Sequence, residues 1–213
     1  MLLALLFVAA LLLLLALAAW RLMWRKVKRK AVSKALPLLH QLPVYWLENL
    51  ITDEENAHLR TAAQDKLKRS CVQGDRIVPE RTSSSAILTD DDVTLRIKQR
   101  LAELCNYPVH KFEPLQVVHY KPGQEYKPHH DYLGGWQHGK RHVTFFVYLN
   151  GEPELEGGET HFPELHLRVK PKRNCALLWY NVHEDGTEDP RTLHAGLPPT
   201  KGEKWGLNVW VRS

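Results

Sequence analysis

The chain has 213 residues, of which 44% are hydrophobic and 25% are charged, and its formal net charge is +5. This length suits one ordinary domain with an appendage, and this composition supports a packed core, which excludes a disordered or fibrous protein. Because a short run at residues 21–30 carries six uncompensated positive charges, the rest of the chain is close to neutral. The charge therefore argues against a nucleic-acid partner.

The first segment, residues 1–20, is uncharged and almost wholly apolar. A helix of roughly 20 such residues matches a hydrocarbon core of about 30 Å, so we expect a single transmembrane anchor and a membrane-bound protein. Residues 21–42 are expected to form a basic flank and linker, which by the positive-inside rule favours a cytoplasmic domain. A cleaved signal peptide is the alternative, because Ala16-Leu17-Ala18 resembles a cleavage site, although no Lys or Arg precedes the apolar run.

The third segment, residues 43–213, begins with a short predicted strand at 44–47 and two predicted helices. Thr52 and Glu55 form a capping-box pattern at the start of the first helix, and residues 90–92 are expected to cap the second. Between the helices, residues 70–89 are polar and are predicted to form a flexible loop. The apolar stripe of the second helix has helical spacing. It consists of Val93, Ile97, Leu101 and Leu104.

After Pro108 the hydrophobic pattern changes from helical to strand-like. The predicted strands cover residues 115–120, 143–149, 165–169, 175–180 and 205–211. Because no helices separate these strands, parallel β-α-β units are excluded, and an antiparallel sandwich or barrel is expected, packed by the N-terminal helices. The predicted fold class is therefore α+β, mainly β, preceded by the membrane helix.

The candidate metal site starts from His129-His130-Asp131. In an extended segment His129 and Asp131 point to the same face, whereas His130 points to the opposite one. Two N/O ligands on one face, joined by a third from elsewhere, are typical of non-haem Fe(II) oxygenases. His194 is the candidate third ligand. Lys204, ten residues later, would be costly to bury unless it met an anion such as a dicarboxylate cosubstrate.

The three cysteines, Cys71, Cys105 and Cys175, are odd in number and widely spaced, without a C-x-x-C motif. They predict neither a disulfide framework nor a zinc site, although one bridge stays possible.

Several motifs in order resemble the prolyl 4-hydroxylase family of Fe(II)- and 2-oxoglutarate-dependent dioxygenases. They begin with Tyr120-x-x-Gly-x-x-Tyr126-x-x-His129-x-Asp131-Tyr and Gly157-Gly-Glu-Thr160-x-Phe-Pro. Val169-Lys-Pro-Lys, Asp189-Pro-x-x-x-His194 and Lys204-Trp follow, and the resemblance runs from about residue 43 to the C-terminus.

The resemblance implies a double-stranded β-helix, or jelly-roll, core. It implies that His129, Asp131 and His194 hold Fe(II) and that Lys204 pairs with the distal carboxylate of 2-oxoglutarate. It also implies O2 as the second cosubstrate and ascorbate as the reductant. The remaining implied residues line the cosubstrate pocket or the peptide site. They are Tyr120, Thr160 and Trp210 for the cosubstrate, and Arg81, Glu113, Tyr126 and Arg141 for the peptide.

The implied activity is hydroxylation of peptidyl proline, as in procollagen-proline 4-dioxygenases, with decarboxylation of 2-oxoglutarate to succinate and CO2. A proline-containing peptide or protein is the implied partner, and the endoplasmic reticulum the implied location, with the side of the membrane left open. Two other functions stay open. The oxygenase could act on a non-proline substrate, or the jelly roll could be a non-catalytic binding module. Zinc-dependent hydrolysis is disfavoured, because it would leave Lys204 without a purpose.

Overall fold

The computed structural model describes residues 43–72, 76–132 and 139–213. The helices of this part are α1 (Asp53–Gln64) and α2 (Asp92–Cys105). Its first seven strands are β1 (Val44–Leu47), β2 (Lys68–Arg69), β3 (Ser84–Ile87), β4 (Gln116–Tyr120), β5 (Tyr126–His129), β6 (Arg141–Tyr148) and β7 (Glu156–Gly157). The others are β8 (Thr160–Phe162), β9 (Leu167–Val169), β10 (Ala176–Tyr180), β11 (His194–Gly196), β12 (Pro199–Lys201) and β13 (Lys204–Arg212).

The strands form a seven-stranded sheet and a four-stranded sheet. The order is β1-β10-β6-β13-β4-β3-β2 in the large sheet and β5-β11-β8-β9 in the small one, and a separate pair joins β12 to β7. Neighbouring strands pair antiparallel. The predicted antiparallel, mainly β architecture is confirmed, and similar solved structures described below have the same fold.

The two sheets bury one hydrophobic core between them. Alternation along β6 sends Phe146 and Tyr148 into this core, whereas Phe145 and Val147 face the opposite side of the large sheet. Phe162 enters from the small sheet and packs edge-to-face on Trp179, with ring centroids 5.4 Å apart. Full burial of one such side chain stabilises the folded state by roughly 1.5–3 kcal/mol relative to leaving it exposed to water. The inner faces of the two sheets therefore hold the structure together and enclose the site described below.

Helix α1 packs on the outer face of the large sheet. Asn56 donates a hydrogen bond from Nδ2 to the carbonyl of Leu149 (2.9 Å), and the Arg60 guanidinium lies 5.1 Å above the Trp205 ring. Arg100 of α2 forms a two-pronged ion pair with Glu55 of α1, at 2.6 and 2.8 Å. These contacts fix the helices to the sheet and to each other.

Both helix starts agree with the prediction. Thr52 and Glu55 form a reciprocal capping box at α1, and the Asp91 carboxylate accepts from the backbone N–H groups of Val93 and Thr94 at α2. These local hydrogen bonds satisfy N–H groups that have no partner inside the helix.

The prediction of a flexible loop over residues 70–89 is wrong in part. Ser84–Ile87 forms β3, which pairs with β4 in the register Ser84 to His119. Ser70 and Ser83, in the same stretch, are both buried. Their hydroxyl groups satisfy each other, because Ser83 Oγ donates a hydrogen bond to Ser70 Oγ at 2.9 Å. Composition could not reveal this, since the partner strand is remote in sequence. The strand predicted at 165–169 also starts later, at Leu167, after a 3-10 turn at Pro163–Leu165.

The prediction of a single-pass membrane protein is corrected by the structure. Within the described ranges no helix is long and apolar enough to cross a membrane. The longest, α2, has 14 residues and would span only about 21 Å at 1.5 Å per residue. Residues 1–20 and 21–42, on which the anchor, flank and linker predictions rested, lie outside the described residues. Membrane and endoplasmic-reticulum localisation is therefore not supported.

Candidate metal centre and adjoining pockets

The three predicted ligands meet where two strands of the small sheet pair. His129 ends β5 and lies directly opposite His194, the first residue of β11. Asp131 follows two residues after His129. Its Oδ1 lies 3.9 Å from His129 Nε2, and its Oδ2 lies 3.8 Å from His194 Nε2. One ligand atom from each residue lies within 4.8 Å of the other two. Strand pairing thus brings together residues that are far apart in the sequence.

Both imidazoles are oriented by backbone carbonyls. Nδ1 of His129 is 2.8 Å from the carbonyl oxygen of Lys127, and Nδ1 of His194 is 2.9 Å from that of Thr192. When Nδ1 carries the proton and donates it to these carbonyls, Nε2 of each ring is left with a free lone pair. The two Nε2 atoms therefore face the carboxylate as ready metal ligands.

Burial keeps the two histidines neutral. It lowers the pKa of His129 to about 3, assisted by the neighbouring His194, and it also lowers the pKa of His194. A neutral imidazole is the form that binds a metal. Burial alone would raise the pKa of Asp131, but His194, His129, Arg141 and the Trp210 indole together lower it to about 2. Two neutral imidazoles and one carboxylate fit the donor set of a non-haem Fe(II) site.

A buried hydrogen-bond chain fixes the carboxylate of Asp131. Oδ2 accepts from Thr144 Oγ1 at 2.9 Å and from Trp210 Nε1 at 3.0 Å. Thr144 in turn accepts from Asn181 Nδ2 at 2.9 Å, and Asn181 Oδ1 accepts from Trp179 Nε1 at 2.9 Å. Both of these donors bond Oδ2, and no side chain among the described residues donates to Oδ1, which can therefore face a metal ion.

Lys204 lies in a narrow pocket next to the ligands, with only 1% of its surface exposed. Its ammonium lies 5.3 Å from the Tyr120 ring centre and 5.1 Å from the Phe146 ring centre. Among the described residues no carboxylate lies within ion-pair distance of Nζ. Burial lowers the pKa of Lys204 to about 7, although Glu159 acts in the opposite direction. A buried cation without a counter-charge is unstable by itself, so this pocket is suited to an anionic ligand.

The predicted cosubstrate residues line the same pocket. Tyr120 and Thr160 are both buried, at 4% exposed each, and Thr160 Oγ1 accepts a hydrogen bond from Tyr148 at 2.8 Å. Gly196 lies beside them: a Cβ there would be 3.4 Å from the Tyr120 hydroxyl and 3.9 Å from Lys204 Nζ. Tyr120 and Lys204 thus converge at one end of the pocket. Trp210 also lines it, but its indole N–H is directed to Asp131.

Three of the four predicted peptide-binding residues line a second, larger cleft of about 790 Å³. They are Arg81, Tyr126 and Arg141. This cleft and the narrow pocket share Tyr126, Asp131 and Trp210 in their walls, so the two spaces meet at the metal ligands.

Arg81 is buried at 5% exposed instead of lying on a mobile loop. Its guanidinium donates to the Cys71 carbonyl (2.9 Å) and to Gln116 Oε1 (3.0 Å), and it lies 4.8 Å above the Tyr126 ring. Tyr126 stacks on the His129 imidazole with ring centroids 3.5 Å apart. This stack links the cleft wall to a predicted metal ligand.

Glu113 does not line the cleft, but it holds two arginines that do. It accepts two hydrogen bonds from Arg141, at 2.6 and 2.7 Å, and forms an ion pair with Arg212 at 2.8 Å. Arg141 lies flat on Trp210, with its guanidinium carbon 3.6 Å from the ring centre. Glu113 therefore positions the cleft wall.

Sequence reasoning missed Thr144, Asn181 and Arg212. Each lies in or beside a predicted strand, where alternation identifies a face but not a hydrogen-bond partner. The cysteines are free thiols: Cys105 and Cys175 are buried, and Cys71 is partly exposed.

Comparisons with known proteins agree with this geometry. Residues 115–212 match the 2OG-Fe(II) oxygenase superfamily. The chain is 34% identical to a probable prolyl 4-hydroxylase 6 of Arabidopsis thaliana, over 77% of this chain and 67% of that protein. It is 37% identical to the human prolyl 4-hydroxylase subunit alpha-3, over 76% of this chain but only 32% of the subunit. The chain thus spans about two thirds of the plant relatives and about a third of the human one.

Solved structures similar to this chain are also prolyl hydroxylases. A viral collagen prolyl hydroxylase from Paramecium bursaria Chlorella virus-1, in complex with 2OG, has a TM-score of 0.67 and 30% identity, over 81% of this chain and 97% of its own. A Pseudomonas putida prolyl-4-hydroxylase has a TM-score of 0.61 at 16% identity, over 90% of this chain and all of its own, and shows the fold.

Proposed function

Since the chain belongs to the prolyl 4-hydroxylase family of 2OG-Fe(II) oxygenases, we propose that it hydroxylates proline in a peptide. Fe(II), 2-oxoglutarate and O2 are the cofactor and cosubstrates of this family, with ascorbate as reductant. When bound, they supply the oxidation: 2-oxoglutarate and O2 become succinate and CO2, and one oxygen atom is inserted into a proline C–H bond.

The observation that carries the proposal is the position of Lys204 beside the three ligands. A buried cation without a carboxylate partner among the described residues lines the same narrow pocket as His129, Asp131 and His194. A 2-oxo dicarboxylate has one end that can chelate a metal and one end that needs a cation. The pocket offers both partners.

We assign the metal to His129, Asp131 and His194. The Lys127 and Thr192 carbonyls keep the Nε2 atoms available, and the hydrogen bonds from Thr144 and Trp210 hold Asp131 Oδ2 in place. Three protein ligands leave further coordination positions open for cosubstrates, as expected of a catalytic site.

Lys204 is proposed to bind the distal carboxylate, with the Tyr120 and Thr160 hydroxyls beside it. Pairing with an anion compensates the charge that burial disfavours on this lysine. The buried rings of Phe146, Tyr148 and Trp179 exclude water around the pocket. In such a setting the ion pair is stronger than it would be in water.

The peptide is proposed to lie in the larger cleft. Tyr126 and Trp210 form its floor beside Asp131, Arg81 and Arg141 support these two rings, and Glu113 holds Arg141 in place. A peptide in this cleft can present a proline at Asp131, where the cleft meets the narrow pocket that Lys204 lines.

The experiment is an assay of the purified chain with Fe(II), 2-oxoglutarate, ascorbate and O2, with and without a proline-containing peptide. We expect peptide-dependent succinate and a mass gain of one oxygen on proline. His129→Ala, checked for folding by circular dichroism, is the control and should produce neither. Succinate that does not depend on any proline peptide would contradict prolyl hydroxylation, and its complete absence from iron-loaded, folded protein would contradict oxygenase activity.

A further inference from the structure

The cleft beside the metal centre has a strongly positive wall. Among the described residues, the acidic ones that line it are Asp65 and Asp131, and Asp131 is a proposed metal ligand. The basic lining residues outnumber them. They are Lys66, Lys68, Arg69, Arg81, Arg141 and Arg212.

This charge is incompletely neutralised within the described part of the chain. Glu113 serves both Arg141 and Arg212, so one carboxylate compensates two guanidinium groups. Lys66, two residues after the end of α1, and Lys68 in β2 are both exposed. Among the described residues, neither ammonium has a carboxylate within ion-pair distance. A negatively charged ligand could form ion pairs with these lysines.

The excess of basic residues in the cleft does not reflect the charge of the whole chain. Outside residues 21–30 the chain is close to neutral. Concentrating one sign of charge in a cleft attracts ligands of the opposite sign and raises their rate of association.

The wall also suits a peptide better than a phosphate backbone. Ile87 of β3 lines the cleft and is 55% exposed, and Ala86 lies next to it. Because Ile87 and the two lysines line one cleft, it suits a peptide that carries both apolar and acidic side chains.

We propose that this cleft selects proline-containing peptides that carry Asp or Glu near the target proline. The inference rests on the proposed function and names its substrate class. Lys66, Lys68 and Arg69 line the same cleft as Asp131 and Trp210, so an extended peptide whose proline reaches the proposed metal ligands can also contact the lysines. Acidic side chains on that peptide pair with the exposed lysines, which are specificity residues and take no part in the chemistry.

The test compares peptides that differ in one charge. A host peptide with a single proline carries Glu, Gln or Lys at each flanking position in turn. Hydroxylation gives kcat and KM, and fluorescence anisotropy of labelled peptides gives Kd without any need for turnover. One exposed ion pair changes Kd by up to about fivefold, so the two lysines together should give on the order of tenfold.

Two variants of the protein, each with two lysines replaced by glutamate, test the role of the cleft charges. Lys66→Glu/Lys68→Glu should invert the preference from Glu to Lys peptides in KM and Kd while leaving kcat near that of the parent. Lys170→Glu/Lys172→Glu makes the same change in net charge at exposed positions outside the cleft, and it should leave the preference unchanged.

The outcomes separate the inference from the proposed function. Equal Kd and KM for Glu and Gln peptides at every position, with hydroxylation intact, would overturn acidic selection and leave the prolyl hydroxylase standing. Preferential binding of Glu peptides that the first variant abolishes and the control retains supports the inference, even if no proline is hydroxylated. A preference lost equally in both variants would reflect net charge alone and would overturn it.

Discussion

At the scale of single residues, the carboxylate of Asp131, a proposed metal ligand, is held by side chains that are not themselves proposed ligands. Thr144, Asn181 and Trp179 form a buried chain of hydrogen bonds that ends on Oδ2. Such partners hold a ligand in one orientation, so the site loses little entropy when the metal binds.

Thr144→Val removes the donor to Asp131 with little change in shape. We expect metal affinity to fall by about tenfold to a hundredfold, because Asp131 loses one of its two side-chain donors. Titration with Fe(II) under anaerobic conditions measures this. Thr144→Ser retains the hydroxyl and should stay within a few-fold of the parent, and equal loss in both variants would point to packing instead of the hydrogen bond.

Lys204 is the proposed partner of the distal carboxylate of 2-oxoglutarate. In Lys204→Ala the carboxylate of 2-oxoglutarate would be buried without a partner, which costs on the order of 3–5 kcal/mol. We therefore expect KM for 2-oxoglutarate to rise by at least a hundredfold in a kinetic titration, with metal affinity retained. Lys204→Arg should restore 2-oxoglutarate binding only poorly, because the planar guanidinium group differs in shape and reach from the lysine ammonium. Unchanged KM in the alanine variant would refute the assignment.

At the scale of elements, β13 carries the pocket on one face. Lys204, Asn208 and Trp210 line the pocket, while Leu207 and Val209 are buried on the other face. Gly206 lies between Lys204 and Asn208, opposite Tyr148 and Val118. A Cβ at this position would lie 2.4 Å from Cζ of Phe146, so the absence of a side chain is what lets that ring fill the pocket wall.

Gly206→Ala should push the Phe146 ring into the cosubstrate pocket. Overpacking of this kind costs about 1–3 kcal/mol, so we expect a lower free energy of unfolding in urea and a raised KM for 2-oxoglutarate. Gly206→Ala/Phe146→Leu gives the methyl group room and should recover part of both. If the double variant is no better than the single one, contact with Phe146 is not the cause.

At the scale of the whole molecule, the site is built at the expense of stability. Lys204 has a pKa of about 7 in the folded protein, against about 10.4 in an unfolded chain. Because the folded value is the lower one, this residue destabilises the fold fully below about pH 7, and the effect disappears as the pH rises through the unfolded value. A polar group that function requires commonly lowers stability in this way.

Lys204→Met should therefore be more stable than the parent at pH 7, and the difference should shrink as the pH rises. Between pH 7 and pH 9 we expect the gap in unfolding free energy to narrow by about 2 kcal/mol. Urea unfolding at several pH values without 2-oxoglutarate measures it, and taking the difference cancels the tyrosines and cysteines that titrate in both proteins. A gap that does not change with pH would contradict a buried, titrating Lys204.

The sequence by itself determined the features that depend on neighbouring residues. Alternation gave the main strands, Thr52 and Asp91 lie at the expected helix starts, and His129 and Asp131 are near each other because only one residue separates them. The ordered motifs indicated the family, and through it they predicted that His194 binds the metal and that Lys204 binds 2-oxoglutarate.

Only the tertiary structure decided which distant residues meet. Pairing of β5 with β11 brings His194 opposite His129, and pairing of β3 with β4 turns a serine-rich stretch expected to be a loop into a strand. The support of Asp131 by Thr144 and Asn181, the burial of Arg81 and the positive cleft wall also join remote segments. Hydrogen bonds and charge pairs act across a few ångströms of space, and local sequence patterns do not encode which remote segments come that close.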